Sequence, residues 1–422
     1  MKRTLAVVAG LALASLPLTV SAVAPRSADP VTLTLSGWSL STTPEFQTLA
    51  DGFSTAHPDV SIELIEYDPA EYNTLLTADL AAGAGPDIVT QKEVKYLPVL
   101  VDGGQLLDVS DVETPEGLGG TASYEVDGVA YAVPYRMDSW VLFYNADLYD
   151  AAGVAHPDGS WTWDDYVAAL TELKAGLPDG TFPAYQHGWQ STVQGLANAQ
   201  AGADILAGEF DHLAPAYERE LAMQADGLQI DFNTRNSNQL TYQGEFGTQK
   251  AANLIMGTWF VATLISQQAS GDADEFTWGI APAPQLSADT AGTDNVPVTF
   301  GDPTGFGINA AIDDGKLEAA KAFLAYAASE EAASSLAAIG ITPALTNEAV
   351  VEAYFAVEGA PTDELSQWTW ATHETLAENP TSGQTAAIQN ILNDLHTAVL
   401  SEATSVEDAI AEAQDRYANE IG

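Results

Sequence analysis

The stretch Ala81-Ala82-Gly83-Ala84-Gly85-Pro86-Asp87-Ile88-Val89-Thr90 changes hydrophobic rhythm within ten residues. Upstream, Tyr72, Leu75, Leu76 and Leu80 recur at helical spacing behind Asp68-Pro69. Gly-Ala-Gly-Pro then ends the helix and turns the chain, because glycine accepts positive φ and proline cannot continue a helix. Asp87–Thr90 reads as a short buried strand. Working outward, Ser61–Tyr67 is a strand with Ile62 and Leu64 on one face. Phe46, Leu49, Ala50 and Phe53 form a helix entered near Pro44, and Val31–Ser36 is the first strand. Strand–helix–strand–helix–strand is the pattern of an α/β layer with mostly parallel pairing.

Downstream, Gly128–Pro134 and Trp140–Tyr144 are strand-like around a bend at Tyr135-Arg136-Met137-Asp138. Thr162 opens a helix with Asp165 completing a capping box. Residues 190–270 read as mostly helical, and 285–304 as a loop and crossover. Lys316–Ala338 reads as one long Ala-rich helix. Thr404 or Ser405 starts a last amphipathic helix carrying Val406, Ile410, Ala413, Tyr417 and Ile421. No period of 20 to 50 residues marks a solenoid or propeller.

Composition narrows function. The chain has 422 residues, 13 Lys plus Arg against 59 Asp plus Glu, and a formal net charge of −46. Such a surface repels phosphates, which argues against nucleic acid and anionic membranes as partners. The absence of cysteine removes disulfides, thiolate chemistry, zinc–cysteine sites and a lipid-bearing cysteine. A hydrophobic share of 46% is too high for an acidic disordered chain, and the length suggests two domains. Lys2 and Arg3 precede an apolar run from Leu5 to Leu18 and the small residues Val20-Ser21-Ala22, the layout of a secretory signal peptide over 1–22. The run is too short to span a bilayer, where roughly 20 apolar residues are needed. The mature chain is thus expected to be exported, to periplasm or extracellular envelope, with no cysteine-linked lipid anchor.

The ordered motifs resemble one family. Trp38, the Phe46–Phe53 helix and His57-Pro58-Asp59-Val60 come first, then Ala81–Val89. Gly128-Val129-Ala130-Tyr131-Ala132-Val133-Pro134, Leu142-Phe143-Tyr144-Asn145-Ala146-Asp147-Leu148-Tyr149 and Trp161-Thr162-Trp163-Asp164-Asp165 follow. Lys250–Trp259, Pro282-Ala283-Pro284, Ala319–Leu324 and Val406–Ile410 complete the set. This order is similar to that of the carbohydrate-binding extracellular solute-binding proteins of ABC importers, the group that includes maltodextrin-binding protein. The resemblance implies a type II periplasmic-binding-protein fold, with two α/β lobes of mostly parallel sheet joined by a multi-strand hinge around a ligand cleft. Lobe one would comprise 30–145 and 304–345, and lobe two 146–303 and 346–422. It also implies a monomer with no cofactor or metal and no covalent chemistry, handing a mono- or oligosaccharide to a membrane permease.

A sugar presents C–H faces that pack on aromatic rings and hydroxyls that need donors and acceptors. At the matching loop positions stand Trp38, Lys92, Arg136, Asp138, Trp189, Gln190, Trp259, Asp302, Trp368 and Trp370. Trp259 falls where the family stacks a ring on sugar, whereas Trp161 and Trp163, beside a helix cap, read as core. The sequence also bears on two other readings, a secreted glycoside hydrolase and a same-fold protein for a non-sugar ligand. A secreted glycoside hydrolase needs a carboxylate pair across a cleft, but 59 acidic residues supply such pairs by chance. A same-fold protein for a polyamine, phosphate ester or metal chelate would want more clefted carboxylates or more cations, and fewer Trp.

Overall fold

The computed structural model describes residues 30–41 and 44–422, so the expected signal peptide lies outside the described residues. The strands are β1 (Val31–Trp38), β2 (Val60–Tyr67), β3 (Ile88–Gln91), β4 (Glu125–Val126), β5 (Val129–Ala130), β6 (Val133–Met137), β7 (Trp140–Asn145), β8 (Asn253–Gly257), β9 (Trp278–Pro282), β10 (Val298–Phe300), β11 (Pro303–Ile308) and β12 (Glu374–Leu376). One sheet has the order β2-β1-β3-β11-β6, with β1 parallel to β2 and β3, and β11 antiparallel to β3 and β6. Four of its strands therefore share a direction and β11 alone runs against them. The second sheet is β8-β7-β9, with β7 antiparallel to both neighbours. It is widened by parallel bridges from Tyr185 to Leu254 and from Ala184 to Gln229. The reversed strand of each sheet is one the chain enters from the crossover region.

Each sheet has its own core. Helix Glu45–Ala56 buries Phe46, Leu49, Ala50 and Phe53 against the first sheet, the stripe its spacing dictates. Leu33, Leu35, Ile88, Phe306 and Phe323 join it. At β7, Leu142 and Phe143 pack with Leu254, Ile280 and Phe260 in the second core. A third cluster lies among helices Ser191–Ala201, Ala214–Ala225, Thr385–Leu400 and Val406–Glu420. Full burial of one such side chain is worth about 1.5–3 kcal/mol, so these clusters supply the main drive to fold.

Local signals landed with some corrections. Thr162 and Asp165 form the reciprocal capping box, and Ser405 caps the last helix through Asp408 N–H. Asp68 accepts from Ala70 and Glu71 N–H in the turn before helix Tyr72–Ala81, which starts without a side-chain cap. Leu75 is 43% exposed, outside the stripe of Tyr72, Leu76 and Leu80. The expected helix Lys316–Ala338 is two helices, Leu317–Ala327 and Glu330–Ala337. Ser329 separates them in extended conformation, its hydroxyl accepting from Ala332 N–H, because capping competes with helix continuation. The expected bend falls at Asp138-Ser139, and β6 runs on through Met137.

Three segments pass between the sheets side by side. Asp138-Ser139 joins β6 to β7, and Gly301-Asp302 joins β10 to β11. In the third, Met137 N–H donates to Thr342 O at 3.2 Å and Ala344 N–H to Tyr135 O at 3.0 Å. The first two come so close that a Cβ on Gly301 would sit 2.0 Å from Asp138 O, so this position needs glycine. The pairing of β10 with β12 braces the same region.

Candidate functional site

In open α/β sheets, ligands sit outside the carboxyl ends of the strands, where the topology switches. Trp38 ends β1, Lys92 follows β3, and Asp138 follows β6. In the second sheet Trp259 follows β8, whose end lies at the crossover because Gly257 pairs with Trp140. Trp189 and Gln190 follow the bridged residues Ala184 and Tyr185.

The densest of these groups is aromatic. Trp189 and Trp259 have ring centroids 6.4 Å apart, and Trp189 lies 5.9 Å from Tyr242 and 4.4 Å from His187. Trp259 meets Trp140 edge-on at 5.4 Å, and Trp140 stacks on Phe300 at 4.9 Å. The cluster is thus rooted in the second core, while Trp189 is 44% exposed. Gly257 fixes its shape, since a Cβ there would lie 1.9 Å from the Trp259 ring. Sequence reasoning placed Trp189 and Trp259 but missed Tyr242 and His187, which carry no local motif.

On the first sheet, Trp38 is half-buried, edge-on to Phe46 at 5.0 Å and to Tyr72 at 5.1 Å. Lys92 Nζ sits 5.2 Å from the Trp38 centroid and donates to Pro69 O. Burial lowers the Lys92 pKa, against the opposing pull of Glu93 and Asp68.

Arg136 and Asp138 lie together in the crossover. Arg136 Nη1 meets Glu45 Oε2, and Nε meets Asp138 Oδ2, each at 2.6 Å. Tyr135 OH donates to Glu45 Oε1 at 3.1 Å, and Thr258 Oγ1 donates to Asp138 Oδ1 at 3.0 Å. Thr342 Oγ1 continues the chain to Thr258 at 2.8 Å. Burial works against the charge on Arg136, but Asp138 and Glu45 hold its pKa above the ordinary value. The network links β6, helix Glu45–Ala56, the start of helix Trp259–Ser270 and the third crossing segment. Glu45, with a side chain 0% exposed, carries no sequence motif that would have announced it.

The remaining expected residues fall in other surroundings. Asp302 accepts from Glu378 N–H at 2.9 Å, Asn379 N–H at 3.2 Å and Asn379 Nδ2 at 2.5 Å, so it ties the second crossing to the loop after β12. Burial raises the pKa of Asp302, and burial followed by the charge of Asp302 raises that of Glu378. Gln190 Nε2 donates to Gln389 Oε1 on helix Thr385–Leu400. Trp368 is half-buried on helix Glu364–Ala371. For Trp370 a platform role is corrected. It is 1% exposed and stacks on Tyr354 at 4.4 Å, with Phe355 on its edge, as a core side chain. Trp163 is core as expected, with the Arg219 guanidinium 3.6 Å from its ring centroid.

Two sheets, a braced crossover and aromatic rings at strand carboxyl ends define a two-lobed binding protein. Residues 39–334 match the bacterial extracellular solute-binding protein family, and the chain belongs to it. A sugar transporter from Rhizobium etli in an open conformation is similar in structure, with TM-score 0.81 and 29% identity over 91% of this chain and 98% of that one. A lactose-binding protein of Rhizobium radiobacter is 29% identical over 268 residues, 57% of this chain and 58% of that protein. An uncharacterized ABC transporter extracellular-binding protein of Pyrococcus horikoshii is 26% identical over 153 residues, 35% of this chain. The match spans about a third of that relative's length, at 36%. The family and these neighbours are binding proteins, not enzymes. Among the described residues no helix is long and apolar enough to cross a membrane.

Proposed function

We propose that this protein is the extracytoplasmic binding component of an ABC sugar importer, capturing a mono- or oligosaccharide between two lobes, one built on the sheet β2-β1-β3-β11-β6 and the other on β8-β7-β9. The expected boundaries at 145/146 and 303/304 move to the crossings Asp138-Ser139 and Gly301-Asp302, because β7 pairs with β8 and β9 and β11 starts at Pro303. The supporting observation is the Trp189–Tyr242–Trp259 cluster, held on a rigid core yet open to solvent through Trp189. Aromatic faces of this kind suit the C–H face of a pyranose, and neutral sugar needs no compensating charge. The sugar named for the Rhizobium radiobacter relative agrees with this reading.

Trp259 and Trp189 stack on sugar, and Trp38 and Trp368 are further platforms. Lys92, Asp138 and Gln190 bond hydroxyls. Arg136 acts chiefly by fixing Asp138. The lobes close over the ligand by bending at the three crossing segments, and the closed monomer is what a permease recognises. Export through the segment 1–22 places it outside the cytoplasmic membrane, with no cysteine for a lipid tether.

Calorimetry against a panel of lactose, maltotriose, glucose, spermidine and glycerol 3-phosphate tests this reading. One of the sugars binds and neither charged compound does. Binding of spermidine or glycerol 3-phosphate alone replaces the sugar with a charged ligand.

A further inference from the structure

His187 stands inside the aromatic cluster, and its hydrogen bonds fix its protonation. Tyr185 OH has one proton and donates it to Leu240 O at 2.8 Å. The carbonyl oxygen can only accept, so the 3.1 Å contact between Tyr185 Oη and His187 Nδ1 requires a proton on Nδ1. In the neutral ring Nε2 then carries the lone pair, and among the described residues no protein group donates to it.

The surroundings keep the ring neutral. His187 is edge-on to Trp189 at 4.4 Å and to Tyr242 at 5.2 Å, and tilted against Tyr185 at 6.0 Å. Burial, then the positive charge of Arg235, push its pKa down to about 4. Arg235 is itself buried, and among the described residues it makes no ion pair with a carboxylate. It donates to Gln186 O at 3.4 Å and to Asn236 Oδ1 at 2.7 Å, and packs so tightly under Gly188 that a Cβ there would lie 2.2 Å from Nη2. Among the described residues, the groups facing His187 are Tyr185, Trp189, Tyr242 and the cation Arg235, while the carboxylates Glu245 and Asp138 act on Tyr185 and Tyr242.

We propose that His187 contacts the ligand as a neutral acceptor, its Nε2 receiving a hydrogen bond from a hydroxyl of a sugar seated on Trp189, Tyr242 and Trp259. This rests on the sugar reading above and makes it more specific. The cradle offers a neutral acceptor among aromatic rings beside a positive charge, which suits a hydroxyl of an uncharged polyol. A carboxylate acceptor in the same place would carry a far larger desolvation cost.

The test joins two measurements. In the ligand-free protein, ¹⁵N NMR of the imidazole side chains shows His187 as the Nδ1–H tautomer at pH 7, and an Nε2–H tautomer overturns the assignment. Wild type, His187→Phe and His187→Gln are then titrated with lactose, maltotriose and glucose. His187→Phe keeps a flat ring but no acceptor and weakens sugar binding about tenfold, whereas His187→Gln, which restores an acceptor, stays within about threefold. Equal sugar affinity in wild type and a folded His187→Phe protein overturns the role of His187 and leaves the sugar reading standing. If wild type binds none of lactose, maltotriose and glucose, the sugar reading falls and this assignment with it. A His187→Phe protein that fails to fold leaves the tautomer as the deciding result.

Discussion

At the scale of single residues, tryptophan illustrates what a sequence hides. Trp189 and Trp370 are chemically identical, and only tertiary packing makes one a solvent-facing ring and the other a core plug. Their substitutions should separate cleanly. Trp370→Ala is expected to cost about 3–5 kcal/mol in urea unfolding, as other large-to-small core changes do. Trp189→Ala should stay within about 0.5 kcal/mol and yet lower ligand affinity. Arg136 belongs with Trp370 in this respect. Arg136→Gln leaves Glu45 buried without its cation, a change expected to cost about 3–5 kcal/mol by the same unfolding measurement. Gly257→Ala is a subtler probe. Its methyl group would displace the Trp259 ring, so sugar affinity should drop more than thermal stability does.

Elements show which signals were readable. The helices at Thr162 and Ser405 were visible because a cap is written within four residues. The stripe Phe46, Leu49, Ala50, Phe53 was visible because its burial follows from its period. The break at Ser329 was overlooked because the alanines on either side favour helix, and one serine hydroxyl decides against them. Ser329→Ala should cost about 1 kcal/mol, read as a fall in melting temperature, by removing the acceptor for Ala332 N–H. Strand β10 reads as loop in sequence because its ladder partner, β12, lies more than 70 residues away, a pairing no local window contains. The site divides the same way. Trp38, Lys92, Trp189 and Trp259 could be named through the loop positions that the family resemblance implies, whereas His187 and Tyr242 come together only through tertiary packing.

For the whole molecule, charge and proton linkage set the response to conditions. A net charge of −46 works against compaction, so melting temperature should rise as salt screens the repulsion. Proton linkage has two opposing parts. His187, half-buried, and His396, fully buried, are held neutral, with pKa values pushed down by burial and then by Arg235 to about 4 and about 3. The unfolded chain binds more protons than the native one below about 6.5, so these residues cost stability as pH falls through that value. Asp302 and Glu378 work oppositely. Their pKa values are raised, so the native state holds their protons longer, and stability falls as pH climbs from the ordinary carboxylate range toward about 7. Glu378→Gln should therefore flatten the neutral side of the stability profile and leave the acid side to the histidines, as followed by thermal unfolding from pH 4 to pH 8.

The central claim is that sugar is held on the aromatic face beside β8, and a calorimetric titration of wild type and Trp259→Ala with the tightest-binding sugar of the panel tests it most directly. Wild type is expected to bind saturably, and the variant to lose about tenfold or more in affinity, which is at least about 1.4 kcal/mol. Affinity retained within about threefold, with the variant folded, would contradict it.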